Sequence, residues 1–217
     1  MSTQFVPGYR KLLASDELAT RRDQALEHLS NCDVCPWECK VDRRGPKLGV
    51  CKTGWLAKVS SYGPHLGEEK PLRGWRGSGT IFFNHCSLRC QYCQNYTISQ
   101  VASCHPRAIP LARSQRGSQM GEGYEVTPEK LARIMLELQS MGCHNINLVT
   151  PTHVGPQILA ALQIAAEAGL RIPLVYNTGG YDALVMLQLL DGVIDIYIYA
   201  GYEIWQLANC PPLLKSP

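Results

Sequence analysis

The sequence predicts an α/β fold, a partial (β/α) barrel that follows an irregular cysteine-rich segment. From Thr80 onward, short runs of β-branched and aromatic residues alternate with amphipathic helical stretches. Strands separated by single helices pair in parallel. Residues 32–80 instead carry closely spaced glycines and prolines, which predict turns in place of long elements.

Local patterns support each element. Residues 9–30 place leucines and alanines among charges, which predicts an amphipathic helix or a helix pair. Residues 80–84 predict the first barrel strand. Residues 127–142 predict a helix with Thr127 as its N-cap, Pro128 in its first turn and Gly142 as its terminator. The pattern continues with strands at 145–150, 172–177 and 193–199 and helices at 156–168 and 181–191.

These patterns divide the chain into three segments. Residues 1–79 form an N-terminal helix and cysteine-rich segment, residues 80–199 a core of about four βα units, and residues 200–217 an atypical tail. The last predicted strand would have an unpaired edge. We therefore expect an incomplete barrel, from a truncated or mis-spliced chain or one that another chain completes.

Composition excludes several classes of protein. The 217 residues are 45% hydrophobic, which is enough for a core, and the net charge of +3 includes no run of five like charges. We expect no nucleic-acid partner. No apolar stretch approaches the roughly 18 residues of a membrane span, and the first residues lack an apolar signal core. We expect a soluble, cytoplasmic protein without a membrane partner.

Seven of the ten cysteines fall into two tight clusters, a spacing that favours metal binding over disulfides. The stretch "CSLRCQYC" follows the first barrel strand and places Cys86, Cys90 and Cys93 as C-x3-C-x2-C. A closed zinc site takes four ligands, so three thiols indicate an open coordination position. The stretches "TPTH" (150–153) and "NTGG" (177–180) follow the next two strands and should face the same barrel mouth.

The upstream cysteines form a set of four thiols with the spacing C-x2-C-x3-C-x11-C: Cys32, Cys35, Cys39 and Cys51. They could close a zinc site or hold an auxiliary iron–sulfur cluster, or remain separate thiols or disulfides. Cys104, Cys143 and Cys210 are isolated and receive no role. The glycines of residues 74–80 precede a strand, which is the wrong context for a dinucleotide-binding loop.

The loop at residues 86–93, with Tyr92 before its third cysteine, resembles the cluster loop of the radical S-adenosylmethionine (SAM) superfamily. The stretches "CDVCPWECKVDRRGPKLGVC", "PHLGEEKPL", "GSGTIFF", "TPTHV" and "YNTGGYD" are similar to its pyruvate formate-lyase-activating-enzyme-like branch, across residues 32–198. The resemblance implies a [4Fe–4S] cluster whose remaining iron is chelated by SAM, held by Cys86, Cys90 and Cys93.

The resemblance further implies an enzyme that cleaves SAM reductively to a 5′-deoxyadenosyl radical, which abstracts hydrogen. It implies a one-electron reductant of the flavodoxin or ferredoxin type as a partner, and a protein substrate that would receive a glycyl radical. The alternative is a catalytically impaired iron–sulfur or zinc-binding fragment. Whether SAM is cleaved distinguishes the two hypotheses, because the protein would bind metal under either of them.

Five residues are candidates for contacting SAM by the same resemblance. Thr150 and Thr152 stand where many members carry Gly-Gly-Glu, and would offer backbone and hydroxyl hydrogen bonds. His153 is either a proton donor or SAM contact, or an ordinary hydrogen-bonded histidine. Asn177 would contact the ribose or the carboxylate. Tyr92 packs either near the adenine or within its own loop. No catalytic residue is assigned.

Overall fold

The computed structural model describes residues 5–91, 93–100 and 123–199. The predicted N-terminal helix is a pair, α1 (Gly8–Ala14) and α2 (Glu17–Glu27), separated at Asp16, whose φ of 58° lies in the left-handed region. The described helices that follow are α3 (Lys70–Arg73), α4 (Tyr96–Ser99), α5 (Pro128–Ser140), α6 (Gly155–Glu167) and α7 (Leu184–Leu190).

The described strands form one six-stranded sheet in the order β3-β1-β2-β4-β5-β6. Their bounds are β1 (Ala57–His65), β2 (Ser78–Phe83), β3 (Tyr124–Val126), β4 (Ile146–Val149), β5 (Leu174–Thr178) and β6 (Ile196–Tyr199). Strands β2, β4, β5 and β6 pair in parallel, as the alternation of strands and helices predicted. Over the described residues the sheet is open, so a partial barrel stays a prediction.

The prediction of irregular structure throughout residues 32–80 was wrong for β1. This strand pairs antiparallel with both β2 and β3, so the sheet extends across the predicted boundary at residue 79. Gly63 and Pro64 weaken its local strand pattern. Pairing with two neighbouring strands supplies the backbone hydrogen bonds that the local sequence does not indicate. The three-residue strand β3 was not predicted either.

Helix α5 matches its prediction closely. The Thr127 hydroxyl accepts a hydrogen bond from the Lys130 backbone N–H at 3.3 Å and so caps the first turn. Pro128 stands at the first helical position, where its missing N–H has no cost. After the helix, Gly142 has a φ of 84°, which glycine adopts without strain.

The hydrophobic core lies between the sheet and its helices. Helix α6 contacts α5 on one side and α2 on another, and nearly all its residues are buried as a result. Ile146 and Leu148 of β4 are fully buried in the same core cluster. None of the helices in the described segments is both long and apolar enough to span a membrane.

Replacing Leu148 with alanine should lower the free energy of unfolding by about 2–5 kcal/mol, because it leaves a cavity between the sheet and the helices. Urea denaturation measures the change. Leu184→Ala is the matched control, since Leu184 is 77% exposed and should change stability by less than about 0.5 kcal/mol. Equal losses in the two variants would contradict this position of the core.

Candidate functional site

The carboxyl ends of β2, β4 and β5 lie side by side at one edge of the sheet. Phe82 is paired with Val149, and Val149 with Asn177. The cysteine loop follows β2, the stretch 150–153 follows β4, and the stretch 177–180 begins at the end of β5. The structure thus confirms the prediction that these three segments share one edge, which is where α/β proteins bind ligands.

The cysteine loop after β2 is held at both of its ends. His85 donates its backbone N–H to the Ile98 carbonyl at 2.7 Å, and the Gln100 side chain donates to the Cys90 carbonyl at 2.8 Å. His85 and Arg89 have φ values of 67° and 50°, so the chain turns sharply on either side of Cys86. The short helix α4 then brings the chain back toward β2.

Cys86, Cys90 and Cys93 are each half-buried on this loop. Burial raises the pKa of the Cys86 thiol, and the backbone N–H groups of Leu88 and Arg89 act in the opposite direction. The Leu88 N–H lies 3.4 Å from the Cys86 sulfur, and the Ser99 hydroxyl lies 3.2 Å from the Cys93 sulfur. Such donors stabilise a metal-bound thiolate, so the residues present fit an iron–sulfur cluster.

A single metal ion is a different case. Among residues 5–91, 93–100 and 123–199, no three side chains of Cys, His, Asp or Glu are arranged to hold one ion. This holds for the three thiols of the cysteine loop and also for the upstream set of Cys32, Cys35, Cys39 and Cys51.

Asp182, which sequence reasoning missed, organises the polar groups beyond β4 and β5. Its carboxylate accepts hydrogen bonds from the hydroxyls of Thr152 at 2.6 Å, Tyr176 at 2.8 Å and Thr178 at 2.5 Å. Burial and the Asp182 charge raise the pKa of Tyr176 well above its usual value, so this phenol stays a donor. The signal in the sequence was an acidic residue in the loop after a barrel strand.

His153 lies in the interior, with only 1% of its surface exposed. Its Nε2 is 3.0 Å from the Asn84 carbonyl, which requires a proton on Nε2, and its Nδ1 has no partner among the described residues. The pKa of His153 is lowered to about 3, chiefly by burial and also by the charges of Arg43 and His85. The imidazole is thus neutral over the ordinary pH range.

The remaining candidate SAM contacts lie at the same edge of the sheet. Thr150 is half-buried directly after β4, and Asn177 is half-buried on β5 opposite Val149. Their contact with SAM stays a prediction. Tyr92 lies outside the described residues, as do the isolated Cys104 and Cys210.

The four upstream cysteines are brought together in a compact segment. Cys32, Cys35 and Cys51 are buried and Cys39 is half-buried. The chain turns tightly here: Cys32 donates its N–H to the Val41 carbonyl at 2.9 Å, and the Val50 N–H lies 3.4 Å from the Cys39 sulfur. The pKa of Cys35 is raised to about 12, chiefly by burial and also by the other three thiols of the set, so all four lie within electrostatic reach.

This cysteine-rich segment packs against the cysteine loop after β2. The Trp37 indole N–H donates to the Ser87 carbonyl at 2.7 Å, and the Arg89 guanidinium donates to the Val50 carbonyl. Cys51 is close enough to influence the pKa of Cys86. The two cysteine sets, whose nearest members Cys51 and Cys86 are 35 positions apart in the sequence, are therefore neighbours in space.

Comparison with known proteins identifies the family. The profile of the radical SAM superfamily matches residues 80–205. The chain belongs to the radical SAM superfamily. Radical SAM proteins use a [4Fe–4S] cluster and SAM, and the thiols of Cys86, Cys90 and Cys93 fit the cluster. Membership supports an enzymatic function without naming the reaction.

One relative of similar sequence is a longer protein. "Uncharacterized protein MJ0674" of Methanocaldococcus jannaschii is 32% identical over 173 residues, which cover 77% of this chain and 44% of that protein. The chain thus spans less than half the length of this relative. No solved structure matches the chain significantly. Neither finding assigns the pyruvate formate-lyase-activating-enzyme-like branch.

Replacing His153 with glutamine should flatten the pH dependence of stability. The folded-state pKa of about 3 lies below the usual histidine pKa of 6.5, so the unfolded chain takes up the proton first as pH falls. The free energy of unfolding should therefore fall by up to about 1.4 kcal/mol per pH unit below about pH 6.5.

Urea denaturation at pH 7 and pH 5, in the parent and in His153→Gln, measures this difference. His85, whose pKa burial also lowers, is present in both proteins and cancels in the comparison. The same loss of stability on acidification in both proteins would show that His153 is not buried in its neutral form.

Proposed function

We propose that this protein is a radical SAM enzyme in which Cys86, Cys90 and Cys93 hold a [4Fe–4S] cluster with one iron open to SAM. One observation carries the proposal: three thiols share a single loop at the carboxyl edge of parallel strands, within the region that matches the superfamily. Held by these three thiols, the cluster would supply one electron for the reductive cleavage of SAM, and the radical so formed would abstract hydrogen from the substrate.

The protein's own residues orient SAM and exclude water. Thr150 and Asn177 are half-buried where the strands end, so their polar groups are available to the methionine and ribose parts of SAM. Thr152 is buried and donates to Asp182, which leaves its backbone and the remaining capacity of its hydroxyl for the ligand. His153 does not face SAM in this proposal; its Nε2 holds the Asn84 carbonyl just before the cysteine loop. Tyr92 belongs to the same proposal.

Three finer parts of the proposal follow the resemblance in sequence. A flavodoxin or ferredoxin type of protein supplies the electron, and a protein that receives a glycyl radical is the substrate. The upstream set, Cys32, Cys35, Cys39 and Cys51, holds zinc or an auxiliary iron–sulfur cluster. The burial of three of these thiols supports this part, although in the described residues no three of the four are arranged to hold one ion.

A second candidate function is an iron–sulfur or zinc-binding protein that does not cleave SAM. One feature favours it: β6 forms an edge of the described sheet, with Tyr197 and Tyr199 about half exposed. An unpaired strand edge leaves backbone donors and acceptors without partners. A site open on that side would admit water and fail to confine a reactive radical.

The decisive experiment is anaerobic. The protein is reconstituted with iron and sulfide, then dithionite and SAM are added, and 5′-deoxyadenosine is measured by mass spectrometry. We expect it from the parent and from Cys143→Ala, which removes a buried thiol outside both sets, and not from Cys90→Ala. Cys90→Ala should also lose most of the iron–sulfur absorbance at about 400 nm.

Each other outcome has a clear meaning. A full cluster in Cys90→Ala would refute the ligand assignment. A full cluster without 5′-deoxyadenosine in the parent would refute the enzyme and favour the second candidate function.

Replacing Asp182 with asparagine should weaken SAM binding about tenfold while leaving the iron content unchanged. The amide has one acceptor oxygen in place of two, so Thr152, Tyr176 and Thr178 cannot all keep their hydrogen bonds. Loss of one such bond is worth about 1.4 kcal/mol, or a factor of ten in affinity. Equilibrium binding of SAM to the reconstituted protein measures it.

Asp23→Asn is the matched control, since Asp23 is exposed and its ion pair within the described residues is with its sequence neighbour Arg22. Unchanged SAM affinity in Asp182→Asn would show that the Asp182 carboxylate does not position the site.

A further inference from the structure

The charges of this chain are unevenly distributed along the sequence. Twelve of its 21 lysines and arginines lie between Arg43 and Gly121, but only two of its 18 aspartates and glutamates do, Glu68 and Glu69. The rest of the chain has more acidic than basic residues, so the net charge of +3 conceals a strongly positive stretch. The cysteine loop lies inside this stretch.

Part of this positive charge lies beside the cysteine loop in the fold. The Arg89 guanidinium, from the loop itself, donates to the Val50 carbonyl. The Asn84 N–H, just before the loop, donates to the Lys58 carbonyl at 2.9 Å. Residues 50–58 are thus fixed along the first part of the loop. Four basic residues of this region are called the basic surface below: Lys47, Lys52, Lys58 and Arg89.

The charges of the basic surface are available to a partner. Lys47 and Lys52 are exposed, and the other two residues are half-buried. None of the four forms an ion pair with a carboxylate of the described residues. The nearby Asp42 is paired with Arg44 at 2.9 Å, and Glu125 stands opposite Lys58 in the β1–β3 pairing without an ion pair.

Apolar side chains accompany these charges on the same segment. Leu48, next to Lys47, is 42% exposed, and one of its methyl groups lies beside Gly54. Trp55 follows and is 39% exposed. Large apolar side chains with charged residues around them are the usual composition of a protein-binding surface. Unpaired positive charge on such a surface favours a partner of negative charge and speeds its association.

We propose that the basic surface docks an acidic protein that carries one electron and delivers it to the cluster held by the cysteine loop. The electron passes directly between the two proteins, so the carrier has to bind where this loop comes near the surface. The carrier loses one electron and the cluster gains it, and no bond is made or broken. This inference rests on the proposed function, and it adds the surface and the charge of the partner.

The test reverses the two exposed charges in the double variant Lys47→Glu/Lys52→Glu. The probe is a flavodoxin of strongly negative net charge, and its affinity for the reconstituted protein is measured anaerobically by calorimetry. We expect the affinity to fall at least about tenfold in the variant. The affinity of the parent should also fall as salt is raised from about 50 to about 300 mM, because exposed charges are screened. Equal affinities, or no binding by the parent, would overturn the proposal.

The matched control is Lys11→Glu/Arg133→Glu, which changes the net charge by the same amount. Both residues are exposed, on helices α1 and α5. Flavodoxin affinity should stay within about twofold of the parent, because the altered charges are not on the docking surface. An equal loss in both double variants would show that overall charge, and not the basic surface, attracts the carrier.

A second measurement follows the electron without SAM. Rapid freezing and electron paramagnetic resonance give the rate at which reduced flavodoxin reduces the cluster. We expect Lys47→Glu/Lys52→Glu to be slower by at least about tenfold with flavodoxin and unchanged with dithionite, which needs no docking surface. The same loss with both reductants would mean a damaged cluster and would overturn the docking role. Neither measurement contains SAM, so a failure of SAM cleavage is read separately, from 5′-deoxyadenosine with dithionite.

A short single-stranded RNA is the competing probe, since nucleic acid is the other polyanion that a basic surface attracts. We expect it to bind more weakly than flavodoxin, because the position of the basic surface beside the cysteine loop suits an electron carrier. RNA binding that is tighter than flavodoxin binding, and is lost in Lys47→Glu/Lys52→Glu, would assign the surface to nucleic acid and overturn the proposal.

Discussion

The parallel pairing of β2, β4 and β5 is the constraint on which the candidate site depends. It aligns Phe82, Val149 and Asn177 across the three strands, so the segments that follow begin at one edge. A slip of one residue would turn the buried Ile146 and Leu148 toward the opposite face. The hydrophobic core therefore fixes the register, and the register fixes which loops can meet.

The second constraint is the packing of the cysteine-rich segment on the cysteine loop. Hydrogen bonds from Trp37 and Arg89 join two pieces of chain that have little regular structure of their own. Backbone groups in such segments need partners as much as those in strands do. Contact between the two loops satisfies some of them and brings Cys51 near Cys86. The two cysteine sets therefore lie side by side in the folded protein.

Buried polar groups lie beside this region, and their hydrogen bonds within the protein determine the role of each. Asp182 accepts from three hydroxyls and so fixes the loop that follows β5 against the loop that follows β4. His153 is neutral and buried, and its Nε2–H donates a hydrogen bond to the Asn84 carbonyl. In the described structure its contribution is to hold the start of the cysteine loop. These groups hold in place the loops whose residues would contact a ligand.

The sequence by itself determined the parallel βα pattern, the helix bounds near Thr127 and Gly142, and the two cysteine sets, because each depends on local periodicity, capping or spacing. It did not predict β1, whose strand conformation depends on pairing with β2 and β3. Nor did it single out Asp182, whose carboxylate accepts from three hydroxyls, or Arg43, which is buried and donates to the His153 carbonyl. Burial and partners distant in the chain give both residues these contacts, and only the tertiary structure decides those.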